Sequence, residues 1–452
     1  MHQFFKRKRI TAFLLVFIAA IGQTLAQTSA SISGTVRARS ENLPGATILV
    51  RNESTGFQTG VITNSDGRYV VTQLPLGGPY SISAQFVGYG TLRKTGYTLR
   101  IGEQLTVNFD LQESAQELSV VTIRPEDDNL SRVSPVGAAT RLGVQEMRHM
   151  PTNGRSFQDL ANLSPAVGGG SPFAIGGTRE SSTAITLDGA NQRYMMNGGL
   201  ISQYTVSMEA IREYEVTTHE YNVLEGRQGG GWVNVITKSG TNNWTGSAFW
   251  FNRSKQFRVF GTNPFRGTRD ANYLNQPIRD FKVNQYGFSL GGPIVRDKLH
   301  FFTALDFEDR NEPFPILDVR PETEQIENIT VANLNRFQQI LKDKYGLDAS
   351  QQQTGIFTRQ PINRTVFARL DWQINPIHRL TWRNNILWGR APLTVSGDQA
   401  ALWESWGNTE INSHSSLLSL RSNFSRTLTN EFKIQYQRAQ RNFLPNSYAP
   451  RG

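Results

Sequence analysis

The chain has 452 residues, no cysteine and a formal net charge of +10. The missing thiols argue against disulfides, thiolate metal centres and a lipid-modified cysteine anchor. Four of the positive charges are Lys6, Arg7, Lys8 and Arg9, which leaves +6 for the rest. Those remaining basic residues alternate along strand-like runs instead of forming a stripe, which argues against a nucleic-acid partner.

The basic cluster at 6–9 precedes an apolar run from Ile10 to Ile21, and Thr24-Leu25-Ala26 ends it with small residues at the third-last and last positions. This predicts a secretory signal peptide over 1–26, cleaved between Ala26 and Gln27. The apolar run is shorter than the roughly 20 residues a spanning helix needs, so any insertion into a membrane is expected through strands.

Residues 30–113 alternate short Val, Ile, Thr and Tyr runs with turn clusters at Pro44-Gly45, Asn64-Ser65-Asp66-Gly67 and Leu76-Gly77-Gly78-Pro79. That spacing predicts a small antiparallel β-sandwich. Over 114–130 the β-prone stretch Glu117-Leu118-Ser119-Val120-Val121-Thr122-Ile123 runs into Arg124-Pro125-Glu126-Asp127-Asp128. It reads either as an exposed, extended donor for strand addition to a partner's sheet edge or as the sandwich's last strand plus a linker. Residues 131–238 are glycine-punctuated and predict a small α/β unit with tight turns. The runs at Gly168–Gly170 and Gly229–Gly231 lack the Gly-Lys-Ser/Thr ending of a phosphate loop, so nucleotide binding is not expected.

From 239 to 452 the pattern becomes amphipathic with period two. In 365–374, Ala368, Leu370, Trp372 and Ile374 share one face and Arg369, Asp371 and Gln373 the other. After a turn at Asn375 to His378, Leu380, Trp382, Ile386 and Trp388 oppose Arg379, Thr381, Arg383 and Asn385. Seven such strands are expected, near 244–252, 282–292, 299–308, 365–374, 379–388, 415–426 and 431–440. Each is close to the ~9–11 residues that a tilted strand needs to cross a bilayer. Tight turns (295–298, 375–378, 428–430) alternate with long polar loops (253–281, 309–364, 389–414), as in a bacterial outer-membrane barrel whose long loops lie outside the cell. The mean hydropathy of −0.41 agrees, since half of each such strand and all of the loops face water. A soluble sandwich is the competing reading, and it requires the apolar faces of 365–388 to be buried. Leu334, Phe337, Ile340 and Leu341 predict a helix from Thr330 to Tyr345 in an outer loop, capped by Gly346.

Several pieces together carry a family resemblance. The order SGTV, LPGATI, TNSDGRY, GPYSISAQFVGY resembles the carboxypeptidase-regulatory-like domain of transthyretin fold. None of the six histidines lies there, so a zinc-peptidase site is not expected. Residues 131–238 resemble the plug domain of TonB-dependent receptors, through Leu142–Met147, Gly176-Gly177-Thr178-Arg179, Ile185-Thr186-Leu187-Asp188-Gly189, Met208–Val216 and Gly230–Lys238. The barrel start, through Ser239–Gly246, Gly291–Lys298 and Leu370–Asn375, resembles the Oar-like branch of that family.

The resemblance implies a mainly β protein: a transthyretin-like sandwich, a small α/β plug carrying Gly176, Gly177, Arg179, Asp188 and Gly189, and the first strands of an antiparallel transmembrane β-barrel. It also implies a TonB box at Glu117, Leu118, Val120, Val121, Thr122 and Ile123. The partners expected are TonB with its inner-membrane energising complex, outer-membrane lipid, and an extracellular ligand that is an oligosaccharide, peptide or metal chelate. The implied role is import across the outer membrane, or alternatively surface adhesion and assembly. The family's barrel has twenty-two strands, so the chain is expected to be an N-terminal portion of a longer protein. Trp403, Trp406 and Tyr273, in the long loops, suit contact with sugars or peptides equally. No cofactor and no catalysis are expected: there is no Gly-x-Ser-x-Gly, no His-Glu-x-x-His and no metal-spaced histidine cluster.

Overall fold

The structure is a computed structural model. It describes residues 29–113, 121–123, 132–133, 139–150, 155–168, 173–192, 206–218, 230–254, 281–316, 318–321, 324, 329–347, 353–394, 406–425 and 428–445. The expected leader, with Ala26 and Gln27, lies outside them, as do Glu117, Leu118, Val120, Tyr273 and Trp403.

The first unit holds β1 (Ala30–Ala38), β2 (Glu41–Asn42), β3 (Thr47–Asn52), β4 (Gln58–Ile62), β5 (Arg68–Leu74), β6 (Gly77–Gln85), β7 (Leu92–Leu99), β8 (Gln104–Thr106), β9 (Phe109–Asp110), β10 (Val121–Ile123) and β11 (Arg132–Val133). One sheet gathers β2, β5, β8 and β9 around β1, with β11 added at β8, and the other runs β10-β7-β6-β3-β4. Their inner faces alternate buried and open positions, and Ile32, Val36, Ile48, Val50, Leu74, Tyr80, Ile82 and Leu105 close the core between them. The β-branched run Val121-Thr122-Ile123 pairs in parallel with β7, Val121 opposite Leu92 and Ile123 opposite Lys94. The segment expected to be an exposed donor is thus, over these three residues, the edge strand of the sandwich.

The second unit holds β12 (Ala139–Gly143), α1 (Val144–His149), α2 (Phe157–Ala161), β13 (Ala184–Leu187), β14 (Ala190–Asn191), β15 (Ile211–Thr217) and β16 (Trp232–Thr237), with sheet order β12-β15-β16-β13-β14. β13 and β16 are buried at every position, the mark of strands covered on both faces. One cover is local, from Leu160, Phe173 and Ile175. The other comes from Phe302, Ala304 and Phe367 of the third unit, which join the same apolar cluster.

That third unit is one antiparallel sheet: β17 (Thr245–Ser254), β18 (Lys282–Val295), β19 (Leu299–Ile316), β20 (Gly355–Arg359), β21 (Ile362–Gln373), β22 (His378–Thr394), β23 (Trp406–Asn423) and β24 (Thr429–Pro445). Its order is β17-β18-β19-β21-β22-β23-β24, with β20 beside the far end of β19, and β17 and β24 are not paired with each other. All seven expected strands are present. Four of them are much longer than a bilayer crossing requires: β23 has 18 residues, which at ~3.3 Å per residue and a ~40° tilt rises roughly 45 Å, against an apolar band of about 25 Å. The excess lies on the long-loop side. It went unseen because alternation fades there, as in Gly407-Asn408-Thr409-Glu410, while backbone pairing continues without it. β20 was missed for the same reason.

The sheet is oily outside and polar inside. Trp250, Trp372, Ile386 and Trp388 are 68, 45, 41 and 40 % exposed, while Thr365, Asp371, Arg383, Asn385 and Ser415 are 2, 5, 0, 1 and 0 % exposed. A soluble sandwich would invert this arrangement, whereas a membrane barrel requires it. The expected helix is α3 (Val331–Tyr345). Thr330 Oγ1 accepts the Asn333 N–H at its start, and Gly346 ends it at φ 68°.

Candidate functional site

The second unit stands against the concave, polar face of the third, and their contact is built around Asp188. Asp188 and Gly189 form the β13–β14 turn with φ of 51° and 78°, a conformation open to Asp and Gly but strained for most side chains. The turn aims the Asp188 carboxylate back across the sheet. There Oδ1 accepts the Thr237 N–H at 3.0 Å and Oδ2 accepts the Thr237 hydroxyl at 2.8 Å.

Two barrel arginines meet this carboxylate, Arg369 of β21 at 3.7 Å and Arg383 of β22 at 3.6 Å. Arg369 also donates to the Thr237 carbonyl and hydroxyl at 3.2 and 2.9 Å, and makes a two-pronged pair with Asp371 at 2.7 and 3.0 Å. Asp371 further accepts from Arg379 at 3.0 Å and Thr381 at 2.8 Å. Arg383 is less well provided: its side chain is fully buried, and its Nε and Nη1 lack a hydrogen-bond partner among the described residues. Arg212 of β15 lies beside this group, its guanidinium held below its ordinary range by burial and by the like charge of Arg369. Four arginines around two carboxylates make a latch with excess positive charge, and it encloses a cavity of only about 50 Å³ lined in part by Pro75, Leu76, Asp188, Arg212, Arg369 and Arg383.

A larger cavity of about 540 Å³ lies between α1, the turn at Met208–Ala210, β17 and β18; Met147, Arg148, Arg155, Glu209, Lys238 and Phe251 are among its lining residues. Arg155 stacks on Phe249, 4.1 Å from the ring centre, and pairs with Glu209 at 2.6 Å. Glu209 also accepts from the Ser247 hydroxyl at 2.8 Å. Burial pushes the Glu209 carboxyl up, but Ser247 and Arg155 together hold it below the ordinary range. Burial, followed by the charges of Arg148, Arg155 and Arg212, holds Lys238 down against the pull of Glu209.

Of the residues singled out in sequence, Asp188 and Gly189 are brought into the latch. Gly176 and Gly177, at φ 61° and 77°, form an open turn with nothing near an added Cβ, and Arg179 next to it is exposed. Arg369, Asp371, Arg379 and Arg383 were legible as a polar strand face but not as partners of Asp188, nor was the Arg155–Glu209 pair. The available signal was Arg and Asp together on one strand face, Arg369-x-Asp371, at a level that lipid would not tolerate unless it faced inward. Among the described residues, no group of three or more His, Asp or Glu is placed to hold a metal ion.

Comparison with known proteins follows the same division. Residues 31–112 match the carboxypeptidase regulatory-like domain, and residues 236–313 match an outer membrane beta barrel domain. Over 311 residues the chain is 29 % identical to the TonB-dependent transporter Oar of Myxococcus xanthus, covering 65 % of this chain and 28 % of that protein. These matches support a TonB-dependent receptor. The chain spans little more than a quarter of the relative's length, and the receptor's place is the Gram-negative outer membrane. Among solved structures it is similar to the siderophore receptor PirA of Pseudomonas aeruginosa, with TM-score 0.41 and 15 % identity over 67 % of this chain and 42 % of that one. It is also similar to the outer membrane transporter YddB of Escherichia coli, with TM-score 0.44 and 11 % identity over 66 and 38 %.

Proposed function

We propose that the receptor imports a solute across the outer membrane, with the second unit as its plug and Glu117, Leu118, Val120, Val121, Thr122 and Ile123 as the segment pulled by TonB. The observation that carries this reading is the latch. A unit with its own sheet is held against a polar barrel wall by Asp188, Arg369, Arg383 and Thr237, contacts that can part and re-form, while the wall's opposite face is built for lipid. On this reading the energy comes from outside, through TonB's pull on the chain.

The solute enters from the long-loop side and is an oligosaccharide, peptide or metal chelate. The 540 Å³ cavity beside Arg148, Arg155 and Lys238 favours anionic groups on whatever passes there. Surface adhesion is the competing role. Deleting residues 117–123 from the intact receptor separates the two: uptake of labelled iron chelates, oligosaccharides and peptides should lose its dependence on TonB, and cell adhesion should be unchanged. Unchanged TonB-dependent uptake with lost adhesion would overturn the import reading.

A further inference from the structure

The N-terminal sandwich is seated on the barrel's short-turn end and on the second unit, at four points. The Asn242 N–H, just before β17, donates to the Ser54 carbonyl at 2.7 Å. The β18–β19 turn presses Asp297 against Gly56 so closely that a Cβ there would lie 1.8 Å from a carboxylate oxygen, and the Asn242 side chain ties that same Asp297 at 2.7 Å. The Ile101 N–H donates to Glu213 of β15 at 3.2 Å. The turn from β5 into β6 enters the wall's concavity: Pro75 and Leu76 line the small cavity of the Asp188 latch. Gly77 lies against Arg212, with no room for a side chain since an added Cβ would sit 1.5 Å from Nη2. Behind it Tyr80 is buried, its hydroxyl donating to the Pro75 carbonyl at 2.6 Å.

The seat therefore covers the latch from the short-turn side. The connection to the pulled segment is equally direct. β10 is the terminal strand of β10-β7-β6-β3-β4, so its outer edge carries backbone groups that a strand from a partner can meet. A strand added there continues the sheet through β7 into β6, the strand that begins with Gly77 against Arg212.

We propose that the sandwich is a removable stopper for the exit to the periplasm, seated on the plug base and the barrel's short turns and lifted by force applied along its β10 edge. The proposal rests on the import reading above. It assigns the sandwich a docking surface formed by Asn242 and Asp297 at the barrel's short-turn end and by Arg212 and Glu213 of the second unit. It also orders the events: the stopper leaves before the Asp188 latch is exposed and the plug yields.

These 452 residues hold no cysteine, and any cysteine elsewhere in the intact receptor is first replaced by serine. In the intact receptor, Ser54→Cys with Asn242→Cys brings together two backbones already in hydrogen-bond contact, within reach of a disulfide. The rate of its formation in cells with TonB intact is compared with the rate in cells lacking TonB. Near-complete bridging without TonB, and bridging at least several-fold slower with TonB active, are expected. No bridge in either strain, or equal rates in both, overturns the stopper.

If the double variant fails to assemble, Leu76→Cys serves instead, read by a membrane-impermeant maleimide applied from the periplasmic side. Labelling should be slow without TonB and faster with it, and equal labelling overturns the proposal. Binding of TonB's periplasmic domain to the same receptor is scored separately. Binding together with equal bridging rates removes the stopper and leaves import standing, whereas absence of binding removes both.

Discussion

Removing the Asp188 carboxylate should loosen the second unit more than any other single change in the latch. In Asp188→Ala the Thr237 N–H and hydroxyl lose their acceptors, and Arg383, fully buried and already short of hydrogen bonds, loses its carboxylate at 3.6 Å. Stranding one member of a buried ion pair costs about 3–5 kcal/mol. The loss is concentrated on β16, whose last residue is Thr237. The assay is amide hydrogen exchange by mass spectrometry on the peptide containing Trp232–Thr237, which reads the local opening free energy. At about 1.4 kcal/mol per tenfold, exchange should accelerate by roughly two to three and a half orders of magnitude. Asp188→Asn, which keeps one of the two acceptor oxygens and tolerates positive φ but lacks charge, should fall between wild type and Asp188→Ala. Adding Arg383→Met to Asp188→Ala should recover part of the loss, because the uncompensated charge goes with it. Exchange on β16 unchanged within threefold in Asp188→Ala would falsify the latch.

Three further outcomes follow from the same geometry. Burial, and then the charge of Glu215, raises the Glu213 carboxyl above its ordinary range, against the Ile101 N–H and the charges of Arg100 and Arg141. A raised carboxyl binds its proton more tightly in the seated state, so seating is strongest below the ordinary value and weakens as pH rises through the seated one. Maleimide labelling of Leu76→Cys, taken relative to a free thiol at the same pH, should therefore quicken with rising pH, and Glu213→Gln should flatten that ratio. Arg155→Lys keeps the charge beside Glu209 but loses the planar stack on Phe249, so it should lower the stability of the second unit by about 1 kcal/mol, and Arg155→Ala by about 2–4 kcal/mol, read from urea midpoints in detergent. Ile386→Arg places a charge on the lipid face and should cost about 2–4 kcal/mol if it lies near the bilayer midplane, read as a lower yield of heat-modifiable barrel in vesicles. The lumen-facing Ser413→Asn should fold close to normally.

The strands of the barrel were legible because lipid on one side and water or the second unit on the other impose alternation, and Ala368 to Gln373 obey it residue by residue. Where that constraint ends, so did the reading: along the outer extensions of β19, β22, β23 and β24 backbone pairing continues with no lipid to impose alternation on side-chain order. The latch was half legible. Asp188-Gly189 announced a turn with positive φ, and Arg369-x-Asp371 announced charge on an inward face, but the two are 181 positions apart in the numbering, and nothing local in either says that they meet. Nor did the segment 121–123 reveal that it completes the sandwich edge at β7. A β-branched run is equally suited to its own sheet and to a partner's, and only the free edge left by Leu92 to Lys94 decides between them.

The central claim is that this outer-membrane chain is worked by a pull from the periplasm through residues 117–123. It is tested most directly by titrating the purified intact receptor with the periplasmic domain of TonB, alongside the same receptor lacking residues 117–123. Saturable binding by the first and none by the second is the result expected. Equal binding by both, or binding by neither, would contradict it.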